Sequence, residues 1–209
     1  MELDFRKLYT PNLFDFSKEQ EKLIFEVYDR LFQAYSISVV EIEDSPYSKI
    51  KAENENQLLT PKICYYITHR DKTNSFYLYI TNKIWVTARG GLSSNKYDTL
   101  QIWGIKELDE DVEYISIKRK KTVDFIAGIF NKFSIDFTED KNFNKNFYVL
   151  GTNENKTKSF LTSHRRQAIQ SFTYENFQLE IKNKILLFGI PKELSVNNAL
   201  AAADFLEKI

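Results

Sequence analysis

A chain of 209 residues that is 43% hydrophobic and 15% aromatic can bury a substantial core, which argues against a disordered segment. Its 29 basic and 29 acidic residues cancel, and that balance argues against nucleic acid as the main partner, because phosphate binding runs on basic excess. The single cysteine excludes an internal disulfide and a cysteine zinc site, and no apolar run approaches the roughly 18 residues of a membrane span.

The opening stretch, MELDFRKLYTPNLF, lacks the basic-then-apolar pattern of a secretory leader, so a cytoplasmic location without a membrane partner is expected. Residues 18–35 then read as a helix. Leu23, Ile24, Val27, Tyr28, Leu31, Phe32 and Tyr35 recur at three- and four-residue spacing and share one face. Ser17 with Gln20 has the spacing of a capping box. SISVVEIE is β-branched and reads as a strand, and residues 44–60 form a polar connector. Residues 62–69 read as a strand holding Cys64, whose apolar setting marks a buried, inert thiol.

Phe76 to Arg89 reads as a β-hairpin ending at Gly90-Gly91, with Thr81-Asn82-Lys83 as a three-residue turn. That register places Phe76, Leu78, Ile80, Ile84, Val86 and Ala88 on an apolar face, and Tyr77, Tyr79, Trp85, Thr87 and Arg89 on the other. Strands follow in YDTLQIWGI and, past the acidic ELDED, in VEYISIK. Residues 122–133 carry a second amphipathic helix and 146–151 a strand. TSHRRQAIQSF reads as a short helix opened by Thr162 or Ser163. A second hairpin from Phe177 to Ile190 fits a two-residue Asn-Lys turn, and a closing helix is capped by Ser195.

Two stretches share the pattern F-x-L-x-I-x-N-K-I, FYLYITNKI from Phe76 and FQLEIKNKI from Phe177, 101 residues apart. The helix stripe recurs at a similar offset of 102, from Leu23 to Phe125. The expectation is an α+β fold of two related subdomains, residues 1–119 and 120–209, each a mainly antiparallel sheet with a β-hairpin and a packed amphipathic helix. Such a division is an internal structural duplication.

Catalytic signatures are sparse. The six glycines form neither phosphate-binding loop, and His69 and His164 lack metal-ligand spacing, so no cofactor and no metal are expected. The one enzymatic pattern is Glu180-x-Lys182, whose side chains share one side of a strand. With Asp136, or Asp140 close by, as a second carboxylate, it resembles the core of a metal-dependent nuclease or phosphodiesterase. The alternation of Gln178, Glu180 and Lys182 with Phe177, Leu179 and Ile181 equally describes a half-solvated strand. KRKK at 118–121 reads as a solvated turn, and Arg165 and Arg166, in the first turn of a helix where the dipole disfavours cations, read as partners of neighbouring acids. The candidate binding residues are Tyr77, Tyr79, Trp85 and Arg89, types that dominate protein interfaces when exposed and that pack equally well under a helix or the other half of an aromatic chain. The functional reading is a non-catalytic module that binds another protein.

The last third of the chain also resembles a family of bacterial proteins built on a domain of unknown function. Phe143, Phe147 and Val149 stand in its F-x-x-x-F-x-V strand, Leu161 and Thr162 at its helix start, and Leu179 to Ile190 in its aliphatic hairpin. The resemblance implies an α+β fold and a bacterial source, and supplies no catalytic residues. Members of that family often carry N-terminal membrane helices, a pattern this chain does not show.

Overall fold

The structure is a computed structural model that describes residues 16–49, 58–69, 71, 74–85, 97–120 and 134–209. Helix α1 (Lys18–Ala34) starts at the expected capping box, with Ser17 Oγ accepting from the Gln20 amide and Gln20 Oε1 accepting from the Ser17 amide. Its stripe buries Ile24, Val27 and Leu31, each contributing roughly 1.5–3 kcal/mol as it leaves water. Strand β1 (Ser36–Val40) follows, then two 3-10 turns, Ile42–Asp44 and Pro46–Lys49. Three long strands come next: β2 (Leu58–Thr68), β3 (Ser75–Trp85) and β4 (Tyr97–Glu107). The second half holds β5 (Tyr114–Arg119), α2 (Lys141–Asn146), β6 (Phe147–Gly151), α3 (Glu154–Phe160), α4 (Ser163–Ser171), β7 (Gln178–Lys182), β8 (Ile185–Ile190) and α5 (Val196–Lys208).

All eight strands join one antiparallel sheet in the order β1-β2-β3-β4-β8-β7-β5-β6. The β7–β8 hairpin is wedged between β4 and β5, which are consecutive in the chain. The connection between those two strands therefore crosses the hairpin's tip. Leu108 N–H donates to the Lys184 carbonyl and Val112 N–H to that of Asn183, while Asn183 N–H donates to Glu113 O. Asn183 and Glu113 take φ of 54° and 62°, the left-handed region that tight turns need.

The α+β class with antiparallel pairing is as the sequence indicates, and the Asn-Lys turn of the second hairpin is too. The first hairpin is not. β3 runs straight through Thr81-Asn82-Lys83, and those residues pair with Pro61, Thr60 and Leu59 of β2 on one side and with Gln101, Leu100 and Thr99 of β4 on the other. An interior strand with ladder partners on both edges gains more from extension than from reversal. The cost remains visible in Asn82, whose buried Oδ1 finds no partner. The two copies of the shared pattern thus adopt different structures. β5, just ahead of the expected division at 119/120, pairs only with β6 and β7. The expected helix at 122–133 lies outside the described residues.

One sheet face carries the main core. Helix α5 lies against β3, β4, β8 and α1, and Ala199, Ala202 and Ala203 let it approach closely. Phe205 stacks on Phe188 with 4.1 Å between ring centroids. Ser195 and Asn198 cap its start reciprocally. Its last turn is closed by side chains from three elements: Asn74 Nδ2 donates to Glu207 O, Lys106 Nζ to Leu206 O, and Arg165 Nε to Ile209 O.

Burial, reinforced by the nearby Arg165 charge, depresses the Lys106 ammonium to a pKa of about 8. The unfolded chain keeps that proton up to the ordinary value of 10.5, so the unfolded state binds more protons between the two and stability rises with pH across that window. Lys106→Met is expected to remove about 1 kcal/mol of this rise, a value trimmed for residual solvent screening. Urea unfolding of both proteins between the two pKa values measures the difference, and parallel curves would refute the assignment.

Candidate functional site

The outer sheet face begins with strand alternation. Cys64 and Tyr66 of β2, Tyr77 and Tyr79 of β3 and Ile105 of β4 point away from α5. The 3-10 turns after β1 fold Ile42 and Tyr47 over this face, and Tyr47 O–H donates to Leu59 O at 2.6 Å, fastening the turns to β2. The result is a row of rings. Tyr66 and Tyr77 have centroids 5.1 Å apart, Tyr77 and Tyr79 6.4 Å, and Tyr79 and Tyr47 5.4 Å.

The row is dry at one end and open at the other. Tyr79 is 0% exposed beside Cys64, and its hydroxyl has no hydrogen-bond partner of good geometry. Burial pushes the Cys64 thiol up to about 12, outweighing the opposing effect of the neighbouring Tyr79 and Ser45 hydroxyls. The buried thiol expected from the sequence is what the fold contains. Tyr66 and Tyr77, in contrast, line an open cleft of about 430 Å³ with Val39, Val40, Glu41 and Asp44. Burial also raises the Tyr77 phenol, so it stays neutral at physiological pH. Glu41, Glu43 and Asp44 are exposed, and among the described residues no ion pair engages them.

A second cleft of about 650 Å³ lies at the other end of β1, lined by Phe32, Tyr35, Ser36, Tyr66, Thr68, His69 and Ser75. Tyr66 belongs to both. The wall of this second cleft is held by a polar cluster that ties the β2–β3 turn to α5. His69 Nδ1 lies 2.6 Å from Asp71 Oδ1, and Nε2 lies 3.1 Å from Glu207 Oε1. Tyr35 O–H donates to Glu207 Oε2 at 3.0 Å.

Of the four binding residues read from the sequence, Tyr77 faces the open cleft and Tyr79 is withdrawn into the interior. The 3-10 turns cover Tyr79. The side chain of Trp85 and the whole of Arg89 lie outside the described residues. The residues that sequence reasoning missed are Tyr66, Glu41 and Asp44. Tyr66 sits one residue from the buried Tyr65, and period-two alternation puts it on the opposite face to that neighbour.

The nuclease residues are not assembled. Asp136 lies in the connection that joins the sheet at the β6 edge, where Ile135 N–H donates to Val149 O. Glu180 sits on β7, opposite Ser116 of β5 and Leu187 of β8, and Lys182 is at the strand's end. Among the described residues, no group of three or more His, Cys, Asp or Glu side chains is arranged to hold a metal.

The charged motifs are engaged in part by the fold, while Lys118 is exposed and Lys121 lies outside the described residues. Arg119 donates to Phe172 O, and Lys120 donates to Asn144 O while lying over the Tyr148 ring. Arg165 and Arg166 do find acids, Glu110 for the first and Glu139 with Asp140 for the second. The acids of ELDEDVE serve Arg165 and Lys156, through Glu110 and Glu113.

Family models, curated proteins and solved structures were compared with the chain. None matches. Among the described residues, no helix is long and apolar enough to cross a membrane.

Proposed function

We propose that the protein is a non-catalytic module that binds another protein along β1. The observation that carries this reading is the pair of clefts flanking that strand, which share Tyr66 and offer accessible tyrosine rings beside unpaired carboxylates. Tyrosine combines a large rigid contact area with a hydroxyl that tolerates water, which is why it concentrates in protein interfaces. Among the described residues, no group of three or more His, Cys, Asp or Glu side chains that could hold a metal competes with a binding role on this surface.

The test uses Tyr66→Ala with Tyr77→Ala, since both side chains are partly solvated and can be truncated without opening the core. Peptides selected from a random displayed library against the wild-type chain are expected to lose affinity for the double variant by at least about tenfold, equivalent to 1.4 kcal/mol. The variant should keep a cooperative thermal transition. Undiminished binding by a folded double variant would remove this surface from the proposal.

A further inference from the structure

Resting on that protein-binding reading, we infer that β1 accepts an extended peptide strand with a basic side chain at the Glu41–Asp44 end and an apolar side chain at the Phe32 end. The sheet has two edges, and they are treated differently. The β6 edge is closed by its own chain, with Ile135 N–H donating to Val149 O and Val149 N–H to Ser134 Oγ. β1 pairs only with β2, and among the described residues nothing hydrogen-bonds to its outer side. Edge strands are usually blunted by lysine, proline or a bulge. Ser36-Ile37-Ser38-Val39-Val40 has none of these, and its pairing with β2 is regular throughout. Such an edge is a template for one more strand, whose main chain supplies affinity and whose alternate side chains supply specificity.

The two clefts state what those side chains should be. At the Val40 end, Glu41 and Asp44 stand beside the Tyr66 and Tyr77 rings, with no ion-pair partner among the described residues. Carboxylates with aromatic faces select a lysine or arginine, by charge and by cation–π attraction. At the Ser36 end, the Phe32 ring is 57% exposed beside Tyr35, and among the described residues no lysine or arginine lines the cleft. An apolar side chain fits there. Ser36 and Val40 are four residues apart, about 13 Å along a strand, so the two anchors should be four residues apart in the partner. A second copy of this chain is a poorer occupant. Antiparallel β1–β1 pairing about Ser38 would bring each acidic end to the partner copy's Phe32 cleft, where among the described residues the one basic side chain, His69, already lies between Asp71 and Glu207.

The experiment selects decapeptides from a random displayed library against the intact chain, then titrates the selected peptide in synthetic form. Enrichment of lysine or arginine four positions from an aliphatic or aromatic residue is expected. Glu41→Gln with Asp44→Asn should weaken binding at least about tenfold, and added salt should weaken wild-type binding in the same direction. N-methylation of the alternate peptide amides that face β1 should abolish binding, while methylation of the other alternate set leaves it within about twofold. Binding that depends on one amide set but ignores the acidic pair would overturn the basic partner and leave the protein-binding reading standing. Equal tolerance of both methylated sets would overturn strand addition. Recovery of no binding peptide, with a concentration-dependent dimer that protects the β1 amides from exchange, would overturn the inference in favour of self-pairing.

Discussion

Gly189→Val is expected to destabilise the protein by about 2–3 kcal/mol, an overpacking penalty at a site with no room to relax. β8 meets β4 with Gly189 opposite Trp103, and the indole lies flat on the glycine. A Cβ at that position would sit 2.3–2.5 Å from three ring carbons of Trp103. The ring is itself buried, and its Nε1 donates to Gln101 Oε1, so it cannot swing aside cheaply. This seam joins the first four strands to the inserted hairpin. Thermal unfolding should fall by roughly 5–10 °C for a chain of this size. Gly104→Ala, across the same seam, provides a contrast. There the closest atom is the terminal Leu206 Cδ1, followed by Leu78 Cδ2 at 3.1 Å and the Tyr77 carbonyl at 3.3 Å, so the ends of two aliphatic side chains rather than a fused ring must yield and a smaller loss is expected. Equal losses at both positions would refute the argument from ring rigidity.

Arg166→Met should cost about 3 kcal/mol, the low end for breaking a buried ion pair by removing one partner. The guanidinium is 6% exposed. Its Nε donates to Asp140 Oδ2 and its NH1 to the Leu161 carbonyl, NH2 pairs with Glu139, and its plane lies 4.7 Å from the Phe137 centroid. Asp140 loses its counter-charge while still capping α2 through the Phe143 amide. Burial alone would raise the Asp140 carboxyl, but the Phe143 amide, Arg166 and Gln170 together hold it below its ordinary 3.8. A depressed folded pKa contributes stability that is fully present above the unfolded value and is lost as pH falls below it. The variant should therefore lose less stability than the wild type on acidification below about pH 4. Denaturant titrations at neutral and acid pH test both effects together, and an unchanged acid limb in the variant would sink the Asp140–Arg166 assignment.

Legibility from the sequence followed the range of each signal. Ser17 with Gln20 and Ser195 with Asn198 are contained within four residues, and both helix starts are where those residues stand. Helices α2 and α3 were missed although Asp140 and Asn153 cap them, because six and seven residues are too few to display a helical period. The arginine partners were legible in kind. The dipole argument called for acids near Arg165 and Arg166, but nothing local named Glu110, Glu139 or Asp140. The candidate site was legible only in part. Tyr77 followed from alternation, whereas the cleft beside it depends on β1 being an edge and on the 3-10 turns covering Tyr79 and sparing Tyr66.

The shared F-x-L-x-I-x-N-K-I stretches mark the limit most clearly. Both stretches encode extended backbone with an apolar face at Phe, Leu and Ile, and both supply it to the same core. Alternation acts over two residues and needs no partner to be read. Whether Asn-Lys reverses the chain is decided elsewhere. Asn183 enters the left-handed region because β7 must turn back to fill the gap between β4 and β5, and the 108–113 connection satisfies its tip. Asn82 stays extended because β2 and β4 pair with Thr81, Asn82 and Lys83 of β3 on both sides. The local sequence permits either state at small cost; the ladder partners, contributed by residues far away in the chain, supply the energy that chooses.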